Sequence, residues 1–553
     1  MALFDDETRT GADLKRQARS QTVQRTPPRS RDKPDHPWLP KGGHAFRPTR
    51  MARPPDRLAA LWCDHAACGL AGRAPDLSAL GQTSQGLARL VLAILAVAGL
   101  LAMLAPVTTA MLAGYVASLM FAALIALRLG ALLVRPRWLS PPRIADADLP
   151  SVCVMVALYD EAVVVPQLAA ALAAINYPAD RVSFKLVLEA DDRDTIHVAR
   201  SLQLDDRFQI ITVPPGEPRT KPRALNYALR QCRSELVAVH DAEDRPHPDQ
   251  LRRAAEAFRA SDPALACIQA PLNWYNRDET WLTRQFALEY AAHFHALLPL
   301  YQRLGWPLPL GGTSNHFRRD ALVGVGGWDA WNVTEDADLG LRLHAAGYRC
   351  GLIEPMTLEE APLRLEPWIK QRTRWIKGHA QTLAVLAARK NTPWQCLLPA
   401  ALILGGAAVS ALVHGPLSLL CLAVLLMTYG DAPASFVTPL FMLAGYGSAI
   451  ACAGVAMRRA GLAHRGSDLA GMPVCWLLQT LAAVRALRQL LFDPHRWEKT
   501  EHGLSAMTGS SCTSHSLQRS SALRHASPSS SSPAGAPANQ CAPNAAPASS
   551  PGP

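Results

Sequence analysis

Two apolar runs, Leu90 to Ala105 and Ala110 to Leu127, are parted only by a short turn at Pro106 to Thr109, and neither carries a polar stripe. A bilayer span needs about 20 apolar residues in one helix, whereas a helix on a soluble domain shows a polar face. Residues 87–134 therefore read as a transmembrane hairpin rather than a buried soluble one. Arg128, Arg135, Arg137 and Arg143 follow it, which places that end and the basic N-terminus on the cytosolic side. Apolar runs return at Cys396 to Val413, Pro416 to Tyr429 and Phe436 to Met457. Pro473 to Phe492 is amphipathic and contains Arg485 and Arg488. Both arginines are costly at a bilayer centre, so an interfacial helix and a span both stand open there. Residues 395–492 thus hold transmembrane and interfacial helices. Arg458, Arg459 and Arg465 should face the cytosol, but a simple count of crossings does not easily place their loop there. The implied location is a cell (inner) membrane, crossed several times.

The termini are of another kind. Residues 1–86 open with a polar stretch rich in Arg and Pro and lacking an apolar signal core, so they read as a disordered basic cytosolic arm and not as a secretory leader. The chain has 56 Lys+Arg against 45 Asp+Glu, a net +11, and a basic arm can meet anionic lipid. Nothing aromatic or repeated organises it, so no nucleic acid partner is expected. Cys63-Asp64-His65 with Cys68 has metal-like spacing but lacks the second half of a four-ligand site. Residues 505–553 are a disordered Ser/Pro/Ala-rich tail. The 12 cysteines are scattered, which excludes a disulfide scaffold, and those facing the cytosol should be free thiols.

Between the apolar regions, residues 150–392 change period. Ser151 to Leu158 is a short apolar run, as a buried parallel strand requires. A helical stretch, Glu161 to Ile175, stops at Asn176-Tyr177-Pro178. Phe184 to Leu188 reads as a strand ending in Glu189-Ala190-Asp191-Asp192; Phe208 to Val213 is another. Lys221 to Cys232 looks helical, and Leu236 to His240 runs into Asp241-Ala242-Glu243-Asp244. Strands alternating with helices at this spacing imply a doubly wound α/β domain. Ligands of such sheets bind beyond the carboxyl ends of the strands.

The acidic clusters Asp191-Asp192, Asp241 to Asp244 and Thr334-Glu335-Asp336 mark such ends. A sugar diphosphate leaves only when its charge is neutralised, and Mg²⁺ or Mn²⁺ takes hard oxygen ligands, one or two of them from protein. Asp241 and Glu243 suit that task. Trp368-Ile-Lys-Gln371-Arg-Thr-Arg374-Trp375 closes the domain; on a helix Gln371, Arg374 and Trp375 share a face. A planar guanidinium can hold diphosphate oxygens by two bonds, and an indole offers a platform for a sugar ring. A basic amphipathic helix lying on the membrane is the alternative use of this segment, and the two are compatible.

The order Asp-Asp, Asp-x-acidic, Thr-Glu-Asp, Gln-x-x-Arg-Trp between transmembrane helices resembles the processive family 2 glycosyltransferases, the group of cellulose, curdlan, chitin and hyaluronan synthases. Lys221-Pro-Arg-Ala-Leu-Asn226, Gly311 to Phe317 and Trp331-Asn-Val-Thr-Glu-Asp336 support it. The resemblance covers about residues 85–505. It implies a cytosolic GT-A type domain, Rossmann-like and doubly wound, inserted between transmembrane helices. It implies inverting, metal-dependent transfer from a UDP-sugar to a growing β-glycan or a lipid-linked acceptor. On its motifs Asp191 and Asp192 lie near the uridine and ribose, and Lys221 near the diphosphate. Asp336 is the general base, and Glu335 beside it belongs with the substrate-binding residues. Gln371, Arg374 and Trp375 hold nucleotide and acceptor. Asp241 and Glu243 match the metal motif, whose last acid is usually Asp; here the ligand is Glu243 or its neighbour Asp244. A single-addition transferase and a catalytically silent membrane scaffold remain the alternatives, the latter disfavoured by the intact acidic clusters.

Overall fold

The computed structural model describes residues 56–80, 82–389, 392–427, 437–498 and 504–505. Most of the expected N-terminal arm and nearly all of the expected tail lie outside them. The helices that frame the site are α1 (Asp56–Arg73), α2 (Gln82–Leu104), α3 (Pro106–Leu133), α4 (Lys221–Leu229), α5 (Trp281–Ala292), α6 (Glu335–Ala345), α7 (Leu365–Ala388), α8 (Gly406–Met427), α9 (Val437–Arg459) and α10 (Met472–Phe492). The strands are β1 (Val152–Leu158), β2 (Val182–Glu189), β3 (Phe208–Val213), β4 (Leu236–His240), β5 (Arg245–Pro246), β6 (Leu265–Gln269), β7 (Leu272–Trp274), β8 (Asn315–Arg318), β9 (Arg349–Leu352) and β10 (Thr357–Glu359).

Seven strands form one sheet in the order β3-β2-β1-β4-β8-β6-β9. β1 pairs in parallel with β2 and β4, and only β8 runs against its neighbours. β1 is buried almost throughout because helices cover both faces, which explains its unbroken apolar sequence. One core layer gathers Val154, Leu186 and Phe258; the layer on the opposite face gathers Met155, Leu225 and Leu339. The chain order turns back between β1 and β4, and crevices for ligands open at the carboxyl ends of strands where order reverses. Asp241 and Glu243 leave β4 at that edge. A smaller sheet, β5-β10-β7, extends the same side.

The arm expected through residue 86 is ordered over its last part. α1 packs on α4, with Ala66 and Leu70 buried. Its Cys63 Sγ accepts from Arg223 Nη1 at 2.9 Å. Ser78 donates to Asp329 at 2.9 Å. Burial and the charges of Arg230 and Arg73 push the His65 pKa down to about 4. The Cys63-His65-Cys68 spacing therefore serves packing; among the described residues no three metal-ligating side chains come together.

Three helical stretches are long and apolar enough to cross a membrane, Pro106–Leu133, Trp394–Leu419 and Leu440–Arg459, and a shorter apolar helix covers Leu92–Leu104. The runs expected at Cys396 and Pro416 are one helical path, Trp394 to Met427, with a π-turn at Ala401–Gly405 and Pro416 inside. Large apolar side chains on these helices, among them Leu100, Leu119, Leu422 and Leu443, stand exposed, a surface that water does not favour. α10 is not among the candidate spans; it packs along α7, and Arg485 pairs with Glu498 at 2.5 Å. The Arg459 guanidinium donates to the carbonyls of Ala131 (2.9 Å), Leu132 (2.8 Å) and His295 (3.3 Å). The end of α9 is thereby tied to the end of α3, beside the α/β domain. This places the loop with Arg465 on that same side, which a crossing count from sequence does not manage.

The orientation expected from the arginines is testable at Cys68, which is exposed, whereas Cys153 and Cys232 are buried. An impermeant maleimide should leave Cys68 unlabelled in intact cells and label it in inverted vesicles. Labelling in intact cells would reverse the orientation.

Candidate active site

α4 begins at Lys221, directly after Thr220, whose hydroxyl donates to the Ala330 carbonyl at 3.1 Å. This aims the Lys221 ammonium at the end of β4. There it makes an ion pair with Asp241 and donates to the Gly312 carbonyl at 2.6 Å. Burial opposes its charge, but Asp241, Glu335 and Asp336 outweigh burial and raise its pKa, so it stays an ammonium.

The Gly311–Ser314 loop enters between these groups. Gly311 N–H donates to Gln269 Oε1 at 2.8 Å, and Ser314 takes a left-handed conformation (φ 56°) with its N–H on the Val239 carbonyl at 2.8 Å. A methyl group added at Gly312 would lie 3.4 Å from Asp336 Oδ2, 3.7 Å from Asp241 Oδ2 and 3.9 Å from Lys221 Nζ. The glycine leaves open the point on which two carboxylates and an ammonium converge.

Asp336 lies in the first turn of α6, and its Oδ1 accepts from the Ala337 N–H at 2.7 Å. Burial raises its pKa, while Ala337, Arg374 and Lys221 pull it back. Glu335 is pushed up to about 8 by burial and by Asp336. α7 crosses this turn closely at Gly378, where any Cβ would run into the Thr334 side chain. That contact brings Gln371, Arg374 and Trp375 into the cavity lined by Lys221, Asp241 and Asp336. Arg374 Nη1 donates to Val333 O at 3.3 Å, its guanidinium lies 4.7 Å over the Trp497 ring, and its Nε has no partner. Gln371 Oε1 is likewise buried and unpartnered. Trp375 packs with Phe286 and Tyr290.

The three acidic clusters do not share one fate. Glu243 lines the cavity and is buried; burial, Asp241, Asp244, Glu161 and Glu359 drive its pKa well up. Asp244 is turned inward. It bonds His240 Nδ1 at 3.0 Å, the Asp241 N–H at 3.0 Å and the Thr313 hydroxyl, so it shapes the turn and does not face the cavity. Asp192 is spent as the cap of the next helix, accepting from Thr195 N–H at 3.1 Å and Asp160 N–H at 2.5 Å. Asp191 does not line the cavity; it lies 3.0 Å from Nη2 of Arg219, which does. Tyr159, Glu161, Glu189, Arg219, Glu359 and Trp497 also line the cavity and were not singled out from sequence. Of these, Tyr159 and Glu161 follow the strand read at Ser151 to Leu158 and Glu189 closes the strand read at Phe184 to Leu188, so the signal lay at strand ends.

The cavity measures about 810 Å³ and runs on between the apolar helices, past Phe121, Leu124, Phe441 and Met442. One end is charged and the other apolar.

Residues 150–378 match the profile of the family described as "Glycosyltransferase like family 2". The α/β domain is thus similar to that family over most of its length. The chain is 30% identical over 236 residues to a β-monoglucosyldiacylglycerol synthase of Synechocystis, covering 42% of this chain and 48% of that protein. It is 27% identical to glucomannan 4-β-mannosyltransferase 7 of Arabidopsis thaliana, over 44% of this chain and 45% of that one. It thus spans about half the length of these curated relatives. A solved mannosyltransferase from Pyrobaculum calidifontis, in complex with GDP-Man and Mn²⁺, is 20% identical over 68% of this chain and 99% of its own, with a TM-score of 0.45.

Gly312→Ala tests the convergence point. The added methyl meets its neighbours only at ordinary contact distances, so the fold and its melting temperature should hold. The methyl would occupy the space between these groups, so if sugar is transferred there, kcat/KM should fall by about 10²-fold. Wild-type turnover in this variant would show that nothing reacts there.

Proposed function

We propose that the chain, embedded in a membrane, transfers a sugar with inversion from a UDP-sugar to the hydroxyl end of a growing β-glycan. The observation that carries this reading is the convergence of Lys221, Asp241 and Asp336 beside Gly312, in the cavity that also holds Arg374. Asp336 accepts the proton of the acceptor hydroxyl as that oxygen bonds to the anomeric carbon. The bond from that carbon to the diphosphate breaks, and its electron pair stays on the leaving oxygen. Burial moves Asp336 toward the working pH, where a base is most effective. Lys221 and Arg374 face the departing charge in a site with little water. Glu335, at about 8, keeps its proton at neutral pH and offers a donor to a substrate hydroxyl. Gln371 and Trp375 supply an amide and an aromatic face to nucleotide and acceptor. Asp191, paired with the cavity-lining Arg219, would meet the nucleoside.

The donor set fits Mg²⁺ or Mn²⁺. Asp241 and Glu243 share the end of β4, and the crowding of carboxylates that raises the Glu243 pKa is what a cation relieves. Asp241 and Glu243 would hold the ion, which takes only one or two ligands from protein. When bound, the ion neutralises charge on the leaving diphosphate. Chelation should abolish transfer, added Mn²⁺ or Mg²⁺ should restore it, and Asp241→Ala should be inactive while still folded. Full turnover in EDTA would remove the metal from the mechanism.

A second reading, single addition to a lipid-linked acceptor, is favoured by the apolar half of the cavity and by the relative named a glucosyldiacylglycerol synthase. Membranes given a panel of labelled UDP-sugars separate the two, since a polymer stays insoluble and a glycolipid extracts into organic solvent. Release of UDP from none of them would defeat both.

Base and nucleotide clamp should also separate kinetically. Asp336→Asn keeps shape but takes no proton, so kcat should drop by about 10²–10⁴-fold with UDP affinity nearly unchanged. Arg374→Lys loses the planar fork and should weaken both. Calorimetric UDP titrations with initial rates decide it; near-normal kcat for Asp336→Asn would refute the assignment of the base.

A further inference from the structure

A separate cavity of about 320 Å³ lies where the α/β domain meets the end of α9. Its polar rim is Arg277, Arg284, His464 and Arg465, and Leu288 and Met457 supply part of its apolar floor. Two carboxylates share the rim, and they are unequal. Asp468 is buried and already committed, to Arg284 Nε at 2.9 Å and the Arg465 N–H at 3.3 Å, so it builds the frame. Asp278 is 76% exposed and sits 3.4 Å from Arg277, a contact that solvent screens. The Arg465 guanidinium has no ion-pair partner among the described residues and is exposed. Three guanidiniums against two carboxylates leave an excess of about one positive charge, which a single phosphodiester matches.

The position adds the second half of the argument. α9 is long and apolar enough to span a bilayer, and Met457 lies in its last turn. Arg459 fastens that turn to the end of α3. On the proposed membrane reading, on which this inference rests, the cavity sits where hydrocarbon gives way to headgroups, with basic groups outward and apolar groups below. Basic pockets at helix ends on the cytosolic side suit anionic headgroups. We infer that this cavity binds the phosphate of an anionic glycerophospholipid, with the start of its acyl chains on the apolar floor. The site is apart from the sugar-transfer cavity, and the inference stands whether or not the proposed reaction is correct.

The full chain, delipidated in detergent, would be placed in nanodiscs of phosphatidylcholine alone or mixed with phosphatidylglycerol. Retained phosphatidylglycerol would be counted by mass spectrometry, and the melting temperature followed by tryptophan fluorescence. The expected result is about one lipid retained per chain and a higher melting temperature. Arg277→Gln with Arg465→Gln should weaken retention by at least about tenfold. Arg207→Gln, at an arginine just before β3 that pairs with Asp205 far from this cavity, should not. Equal retention by the double variant and the wild type would overturn the inference. So would inorganic phosphate in phosphatidylcholine discs giving the same stabilisation, since the site would then bind a free anion and not a lipid.

Discussion

An ammonium held among carboxylates is the interaction on which this site depends. Lys221 reaches Asp241 and the Gly312 carbonyl, and Glu335 and Asp336 lie close enough to raise its pKa further. Each of these groups comes from a different piece of chain: the start of α4, the end of β4, a glycine loop and the first turn of α6. None is costly alone at a surface. Buried together without the ammonium, the acids would repel one another and take up protons. The ion pair therefore fixes both where the four segments meet and which acids remain charged.

The membrane-side helices are coupled to that centre through α7. Gly378 admits Thr334, so the helix carrying Gln371, Arg374 and Trp375 lies directly on the turn carrying Asp336. Beside Trp375, Arg372 forks onto Glu289 at 2.5 and 2.6 Å and stacks on Phe286. Lys377 holds the chain after α10 through the carbonyls of Asp493 (3.5 Å) and Arg496 (2.8 Å). That segment delivers Trp497 to Arg374. A shift of α10 is thus transmitted to Arg374 through packed contacts.

Much of this was legible in the sequence, because its signals are local. Apolar runs of strand length gave β1 and β4, and acids at a strand end gave Asp241 and Glu243. Helical spacing put Gln371, Arg374 and Trp375 on one face. What stayed hidden depends on contacts between distant segments. Nothing in Asp191-Asp192 says that the second acid is consumed in capping a helix, or in Asp241 to Asp244 that the last acid turns inward to His240 and Thr313. Glu359 and Trp497 reach the cavity from a short strand and a loop far along the chain, with no motif around them. The stretch 56–80 has the composition of a solvated arm, yet Ser78, Asn226, Asp329 and Trp331 bind it to the domain. The side on which Arg465 lies followed only from three carbonyls converging on Arg459.

The charge arrangement itself constrains the substrate. Glu161, Asp241, Glu243, Glu335, Asp336 and Glu359 face Lys221 and Arg374 across one cavity. Two like charges about 4 Å apart cost about 4 kcal/mol at an effective dielectric of about 20. A bare diphosphate would add its own charge to this surplus. Protonation of Glu243, Glu335 and Glu359, whose pKa values are all raised, lowers the cost only in part. On the reading proposed above, a diphosphate arriving with a divalent cation would reverse the sign: Asp241 and Glu243 would serve the ion, and Lys221 and Arg374 the phosphate oxygens. The same acids that oppose a free anion would then favour a metal-bound one.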